Sequence, residues 1–198
     1  MLNFMKIIAA SAAIVVAGFS AQAATVAIGG TGSTGAGGFT SDLATTDTNN
    51  GAYYQGATTP ASNWVWANDP LVEYGQVIFT FAFDLTGFNA ASATLSGLWG
   101  VDNLGEVFLN GTRVSWLDFG YSAFDSLTAF DGTGATFNAG LNELTFFAIN
   151  AGGPGAFRAS VTVSADPIPA AVPLPAALPL LAGAVAAVGF VARRRKAA

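Results

Sequence analysis

The sequence predicts an all-β fold, an antiparallel β-sandwich or jelly roll, flanked by an N-terminal signal-peptide helix and a single C-terminal transmembrane helix. Three observations lead there. Between Ala24 and Ala165, apolar side chains recur at every second residue in several short runs, the period of a strand with one buried face. Gly, Thr, Ser and Asn separate these runs, and no stretch there keeps a helical period. Long uncharged apolar segments occur only at the two ends of the 198 residues.

At the N-terminus a single charge, Lys6, precedes the uncharged run Ile7 to Phe19, and Ser20-Ala21-Gln22-Ala23 follows. A positive start, a short apolar run and small residues at Ala21 and Ala23 make the three parts of a secretory signal peptide over residues 1–23, with cleavage after Ala23. The run is shorter than the ~20 residues a spanning helix needs. Sec translocon and signal peptidase are therefore expected partners. The Gly- and Thr-rich segment from Ile28 to Asn50 is expected to form loops around one or two weak strands.

Val77, Phe79, Phe81, Phe83 and Leu85 then alternate with smaller or polar residues and predict a strand with a strongly apolar face. Ala93 to Val101 gives another. Val107 to Val114 reads as a hairpin, because Asn110-Gly111 supplies the positive φ of a type I′ turn. The same residues with Thr112 match a glycosylation sequon, read here as the turn. In Leu144 to Asn150, Leu144 and Phe146 face one way, Phe147 and Ile149 the other. Phe157, Ala159, Val161 and Val163 alternate with Arg158, Ser160, Thr162 and Ser164, which predicts a half-buried strand with a polar outer face. The β domain is thus expected over residues 24–165, with a linker at 166–171.

Residues 167–192 carry no charge, and Arg193, Arg194, Arg195 and Lys196 follow. A transmembrane helix is expected over residues 176–192, with the basic tail 193–196 held in the cytoplasm. Ahead of it, Val172-Pro173-Leu174-Pro175-Ala176 is held extended by two prolines at alternate positions, a form that a membrane protease can grip. Motif, span and Arg cluster in this order, over residues 172–198, resemble the PEP-CTERM sorting signal in its VPLPA variant. Leu174 stands where the namesake motif has an acidic residue. The resemblance implies recognition by an exosortase-type membrane enzyme: an inner-membrane intermediate, then release to the cell surface or extracellular space of a Gram-negative bacterium. A plain tail anchor that is never cleaved is the alternative.

Composition excludes several functions. The chain has neither Cys nor His, which removes thiolate metal sites, disulfides and the usual Ser–His triads. Seven Lys and Arg against 12 Asp and Glu, with a net charge of −5, exclude a basic nucleic-acid surface. Charged residues make up only 10% of the chain, against about 25% in ordinary soluble domains.

The series Phe83-Asp84-Leu85-Thr86-Gly87-Phe88, Trp99-Gly100-Val101-Asp102-Asn103, Val107-Phe108-Leu109-Asn110-Gly111, Ala139 to Phe146 and Asn150 to Pro154 resembles galactose-binding-domain-like jelly rolls. That resemblance implies glycan binding in many members and a structural calcium in some. Two residue groups bear on this. Asp102, Asn103 and Glu106 carry oxygen ligands suited to a hard cation such as calcium, or else satisfy their own turn. Trp116 and Tyr121 flank the loop Leu117 to Gly120 and form either a platform for a sugar ring or loop packing. Trp64 and Trp66 share a strand face around Val65, which places at least one in the core.

The expected function is that of an exported, non-enzymatic surface or extracellular-matrix protein without a required cofactor. The alternative is a carbohydrate-binding module for exopolysaccharide. A secreted hydrolase has the least support, because paired carboxylates would have to supply all its chemistry. The intact mass of the exported protein checks the processing: the expected species begins at Ala24 and lacks the span after the Val172 to Ala176 motif. A species retaining Arg193 to Lys196 would leave a plain tail anchor.

Overall fold

The computed structural model describes residues 22–68, 74–119, 123–169, 183–186 and 193. The chain divides into two compact units, Met1–Ile168 and Pro169–Ala198. Among the described residues the first holds eleven strands in two antiparallel sheets that share one core. In chain order these are β1 (Ala24–Gly30), β2 (Phe39–Ser41), β3 (Thr45–Asp47), β4 (Val65–Ala67), β5 (Tyr74–Asp84) and β6 (Thr94–Asp102). They are followed by β7 (Leu104–Leu109), β8 (Thr112–Leu117), β9 (Thr128–Asp131), β10 (Leu141–Ala151) and β11 (Ala156–Ala165). One sheet runs β3-β4-β11-β6-β9, with β1 also paired to β11; the other runs β2-β5-β10-β7-β8. The chain crosses between the sheets at β1–β2, β2–β3, β4–β5, β5–β6, β6–β7, β8–β9, β9–β10 and β10–β11, so consecutive strands mostly face one another.

The period-two alternation explains the layering. β5 and β10 pair in unbroken register from Leu141 opposite Asp84 to Ala151 opposite Tyr74. They turn Val77, Phe79, Phe81, Phe83, Leu144, Phe146 and Ala148 inward. From the other sheet, Leu95, Trp99, Val101, Phe157, Ala159, Val161 and Val163 meet them, all buried. Phe146 sits at the crossing point, with ring centroids 5.1 Å from Phe157, 5.9 Å from Trp99, and 5.7 Å from both Phe39 and Phe130. Phe157 in turn stacks on Phe79 at 4.2 Å. Such tilted and edge-on pairs add to the stabilisation from area burial.

The expected hairpin is present: Asn110 has φ 50° and Gly111 φ 81°, as a type I′ turn requires. The one or two weak strands expected between Ile28 and Asn50 are β2 and β3, while β1 starts earlier, at Ala24, and pairs along β11. Two expectations are corrected. Arg158 and Ser160 of β11 do not form a solvent-facing row; they are 5% and 2% exposed. The chain from Thr48 to Asn63 crosses the outside of that sheet, and the Arg158 guanidinium holds it there. It donates to Ser62 Oγ, Tyr54 O and Gly56 O, each at 3.0 Å. The domain also does not give way to a free linker after Ala165. Phe88 bridges Pro167, Asn89 N–H donates to Asp166 O at 2.8 Å, and Ile168 N–H to Gly87 O at 2.9 Å.

Several expected features lie outside the described residues: the signal peptide as far as Ala21, the motif Val172 to Ala176, and Arg194, Arg195 and Lys196. Within the expected span 176–192, residues 183–186 are helical. Among the described residues no helix is long and apolar enough to cross a membrane.

The core arrangement sets an expected cost. Phe146→Ala should lower unfolding free energy by about 3–5 kcal/mol through lost burial and an unfilled cavity. Thr145→Ala, one residue away on the opposite face, should cost under about 1 kcal/mol. Urea unfolding of the two variants checks the contrast.

Candidate functional site

The outer face of the β2-β5-β10-β7-β8 sheet carries the side chains best placed to meet a ligand. The register of its strands sets Ile78 opposite Phe147, Phe147 opposite Glu106, and Glu106 opposite Trp116, a row running across β5, β10, β7 and β8. Next to it, Thr40, Thr80, Thr145, Phe108 and Arg113 form a second row. Phe108 and Phe147 are half-buried and meet edge to face at 5.5 Å. Trp116 is 56% exposed, and beyond β8 Phe119 is exposed too.

Trp116 reaches this face because of one extra residue. Counting outward from the Asn110-Gly111 turn, Leu109 faces Thr112 and Phe108 faces Arg113. The pairing then shifts, and Val107 faces Ser115 rather than Val114. Without that bulge, Trp116 would lie opposite Gly105 on the inner face, since a one-residue slip reverses every side chain. The bulge instead sends Ser115 inward, where its Oγ accepts the Trp99 Nε1–H at 3.0 Å. Trp116 is turned out to water.

Around the indole the polar groups are ordered. Arg113 Nη1 donates to Glu106 Oε1 at 2.6 Å, and its guanidinium carbon lies 5.1 Å from the Trp116 ring centroid. One ring face thus carries the cation, at a distance suited to cation–π attraction. Leu104, Glu106, Arg113, Trp116, Asp118 and Ile149 line an open cavity of about 480 Å³ here. An exposed ring face beside a donor and an acceptor suits a ligand with apolar C–H faces and hydroxyl edges.

The residues singled out in the sequence separate in space. Trp116 is on this face; Tyr121 lies outside the described residues. Trp64 and Trp66 are both buried. Trp64 packs on Tyr53, with centroids 5.0 Å apart, in a small cluster on the outside of the other sheet. Asp102, Asn103 and Glu106 do not converge. Glu106 is taken by Arg113, whereas Asp102, at the end of β6, is 6% exposed. Its Oδ2 accepts Tyr53 O–H at 3.2 Å and its Oδ1 accepts Asn103 Nδ2–H at 2.6 Å. Asn103 Oδ1 accepts Ala151 N–H at 2.7 Å. Among the described residues, no three acidic side chains are grouped to hold a metal ion. Sequence reasoning missed Arg113 as a partner of the indole and Phe147 as its neighbour two strands away. The hairpin turn signals the pairing of β7 with β8, but only the bulge decides which side chains share a face.

No protein-family model and no curated protein matches the sequence. Solved structures with a related backbone include a family 35 carbohydrate-binding module from an environmental isolate. It is 16% identical, with 69% of this chain and 93% of that chain covered, at a TM-score of 0.41. Another is the CBM35 from Cellvibrio japonicus Abf62, 20% identical over 75% of this chain and 100% of that one, also at 0.41. A putative β-galactosidase from Bacteroides fragilis matches at 16% identity and a TM-score of 0.34, over 61% of this chain and 23% of that one. At scores of this size, the fold stands on the strand order itself.

The Tyr53–Asp102 contact generates a pH dependence. Burial pushes the Asp102 carboxyl above its usual 3.8, and the Tyr53 hydrogen bond only partly offsets this. Burial, with the Asp102 charge beside it, likewise pushes the Tyr53 hydroxyl up. With its native pKa above the unfolded one, Asp102 binds its proton more tightly in the folded state. Its contribution to stability therefore falls as pH rises from about 4 through the native pKa. Asp102→Asn removes that fall. The urea midpoint of the variant relative to the parent should rise between pH 4 and pH 8, and a difference that shrinks with pH would contradict the assignment.

Proposed function

We propose that the chain is an exported, non-catalytic surface protein whose sandwich acts as a carbohydrate-binding module. The terminal segments serve its delivery: the signal peptide exports it, and the VPLPA-type signal passes it to an exosortase-type enzyme for release at the cell surface. One observation carries the binding half. A bulge in β8 turns Trp116 out onto a sheet face, 56% exposed, with Arg113 and Glu106 fixed beside it. A buried tryptophan would serve packing alone, whereas an exposed one costs apolar hydration that a ligand recovers. Sugar rings offer matching apolar faces to an indole and hydroxyls to the paired charges. The row of half-buried Phe147 and Ile78 behind Trp116 extends the face across neighbouring strands about 4.8 Å apart and fits a polymer better than a single sugar.

A screen of the purified exported protein against bacterial exopolysaccharides and plant and fungal glucans, mannans and galactans tests the reading. Binding is expected to at least one of them. Trp116→Ala should weaken it at least tenfold while leaving the thermal midpoint within a few degrees, because the indole is mostly exposed. Binding unchanged by Trp116→Ala would move the site elsewhere, and no binding to any polysaccharide would remove the module reading.

A further inference from the structure

The charges around the indole narrow the ligand class. Between Ala24 and Ile168 the sequence holds two cationic side chains, Arg113 and Arg158, against 12 Asp and Glu. Arg158 is buried, 5% exposed, and bonded to the backbone of the Tyr54–Gly56 segment. Arg113 is thus the one cationic side chain of this sandwich that reaches solvent, and its Nη1 is held 2.6 Å from Glu106 Oε1. Asp118 lines the same cavity. A carboxylate or sulfate on a ligand would meet two carboxylates and one guanidinium already engaged, within a strongly acidic domain. Like-charge contacts at a binding face disfavour the wrong partner as effectively as good contacts favour the right one.

A cationic ligand meets the opposite obstacle. The guanidinium of Arg113 already occupies the position over the Trp116 ring that a second cation would seek, 5.1 Å from its centroid. An ammonium group would have to settle beside that guanidinium. What the face leaves available is an indole surface, guanidinium N–H donors and carboxylate acceptors, the set that hydroxyl pairs satisfy with no net charge of their own.

We propose that the Trp116 face selects uncharged polysaccharide and that Glu106 is the selectivity residue, holding Arg113 neutralised so that acidic sugars are refused. The proposal rests on the module reading above. With Glu106 removed, Arg113 becomes a free guanidinium, whose planar fork is suited to carboxylates.

Affinity electrophoresis of the full exported protein tests it, with neutral polymers (β-glucan, galactomannan), anionic ones (alginate, polygalacturonate) and cationic glycol chitosan, each at low and high NaCl. The expected result is retardation by a neutral polymer, changing less than twofold with salt and reduced at least tenfold by Trp116→Ala. Glu106→Gln should raise affinity for alginate or polygalacturonate at least fivefold at low salt, with a gain that high salt erases. Glu106→Asp should keep the parent's preference. Trp116-dependent binding of the parent protein to anionic or cationic polymers alone would overturn the selectivity while leaving the module reading in place. So would a Glu106→Gln variant that gains nothing on anionic polymers. Retardation by no polymer of any class would overturn both.

Discussion

The contact between Phe146 of β10 and Phe157 of β11 joins the two sheets, and much of the rest of the structure is arranged about it. These two strands are neighbours in sequence but belong to opposite sheets. Their rings are 5.1 Å apart, and Phe39, Phe79, Trp99 and Phe130 gather around them from four further strands. Six strands thus contribute to one aromatic cluster. Its size compensates for what the chain lacks, since the sequence has no cysteine and the single ion pair among the described residues lies within one sheet. Two glycines admit the close approach that results. A Cβ at Gly29 would come within 2.4 Å of the Phe81 ring, and one at Gly97 within 2.5 Å of the Phe130 ring.

How much of this could be read from the sequence depended on whether the relevant interaction was local. Strands β5, β10 and β11 announce themselves through strict alternation, and the Asn110-Gly111 turn fixes the hairpin, so the core residues were legible one by one. The burial of Arg158 was not. Its neighbours alternate like those of an exposed face, and what covers it is a segment about 100 residues away in sequence, from Tyr54 to Ser62. The extent of the domain was misjudged for a similar reason: Pro167 and Ile168 pair with the turn at Gly87 and Phe88, which no local pattern signals.

The candidate site shows the same division. That Trp116 stands near a loop and is a candidate for exposure follows from its position. That it faces outward follows from Val114, a residue of unremarkable type whose extra length in β8 reverses the strand's faces. Asp102, Asn103 and Glu106 looked like a cluster because they are close in sequence. The turn between β6 and β7 carries the chain from one sheet to the other, and so Asp102 and Glu106 end on different sheets. Sequence proximity predicts shared space only within one element, and this pair straddles a crossover.

The scarcity of charge is explained by what the acidic residues do. Among the described residues only one ion pair forms, Arg113 with Glu106. Acids elsewhere fix turns. The Thr86 hydroxyl and backbone N–H hold the Asp84 carboxyl below its usual value, and Thr133 does the same for Asp131. The Ser33 hydroxyl does so for Asp47 against the opposing effect of burial, helped by the Ser33 N–H and Asn63. Neutral amides take over where burial would make a charge costly. Asn142, 1% exposed, accepts at one oxygen from Asn110 Nδ2–H and Asn138 N–H, both at 2.8 Å, and donates to Asn138 O and Gly140 O. Loops pinned in this way need no basic partners, and a sandwich without lysine can still order its surface. The same economy leaves Arg113, the exposed cation of the sandwich, with Glu106 as its ion-pair partner next to Trp116.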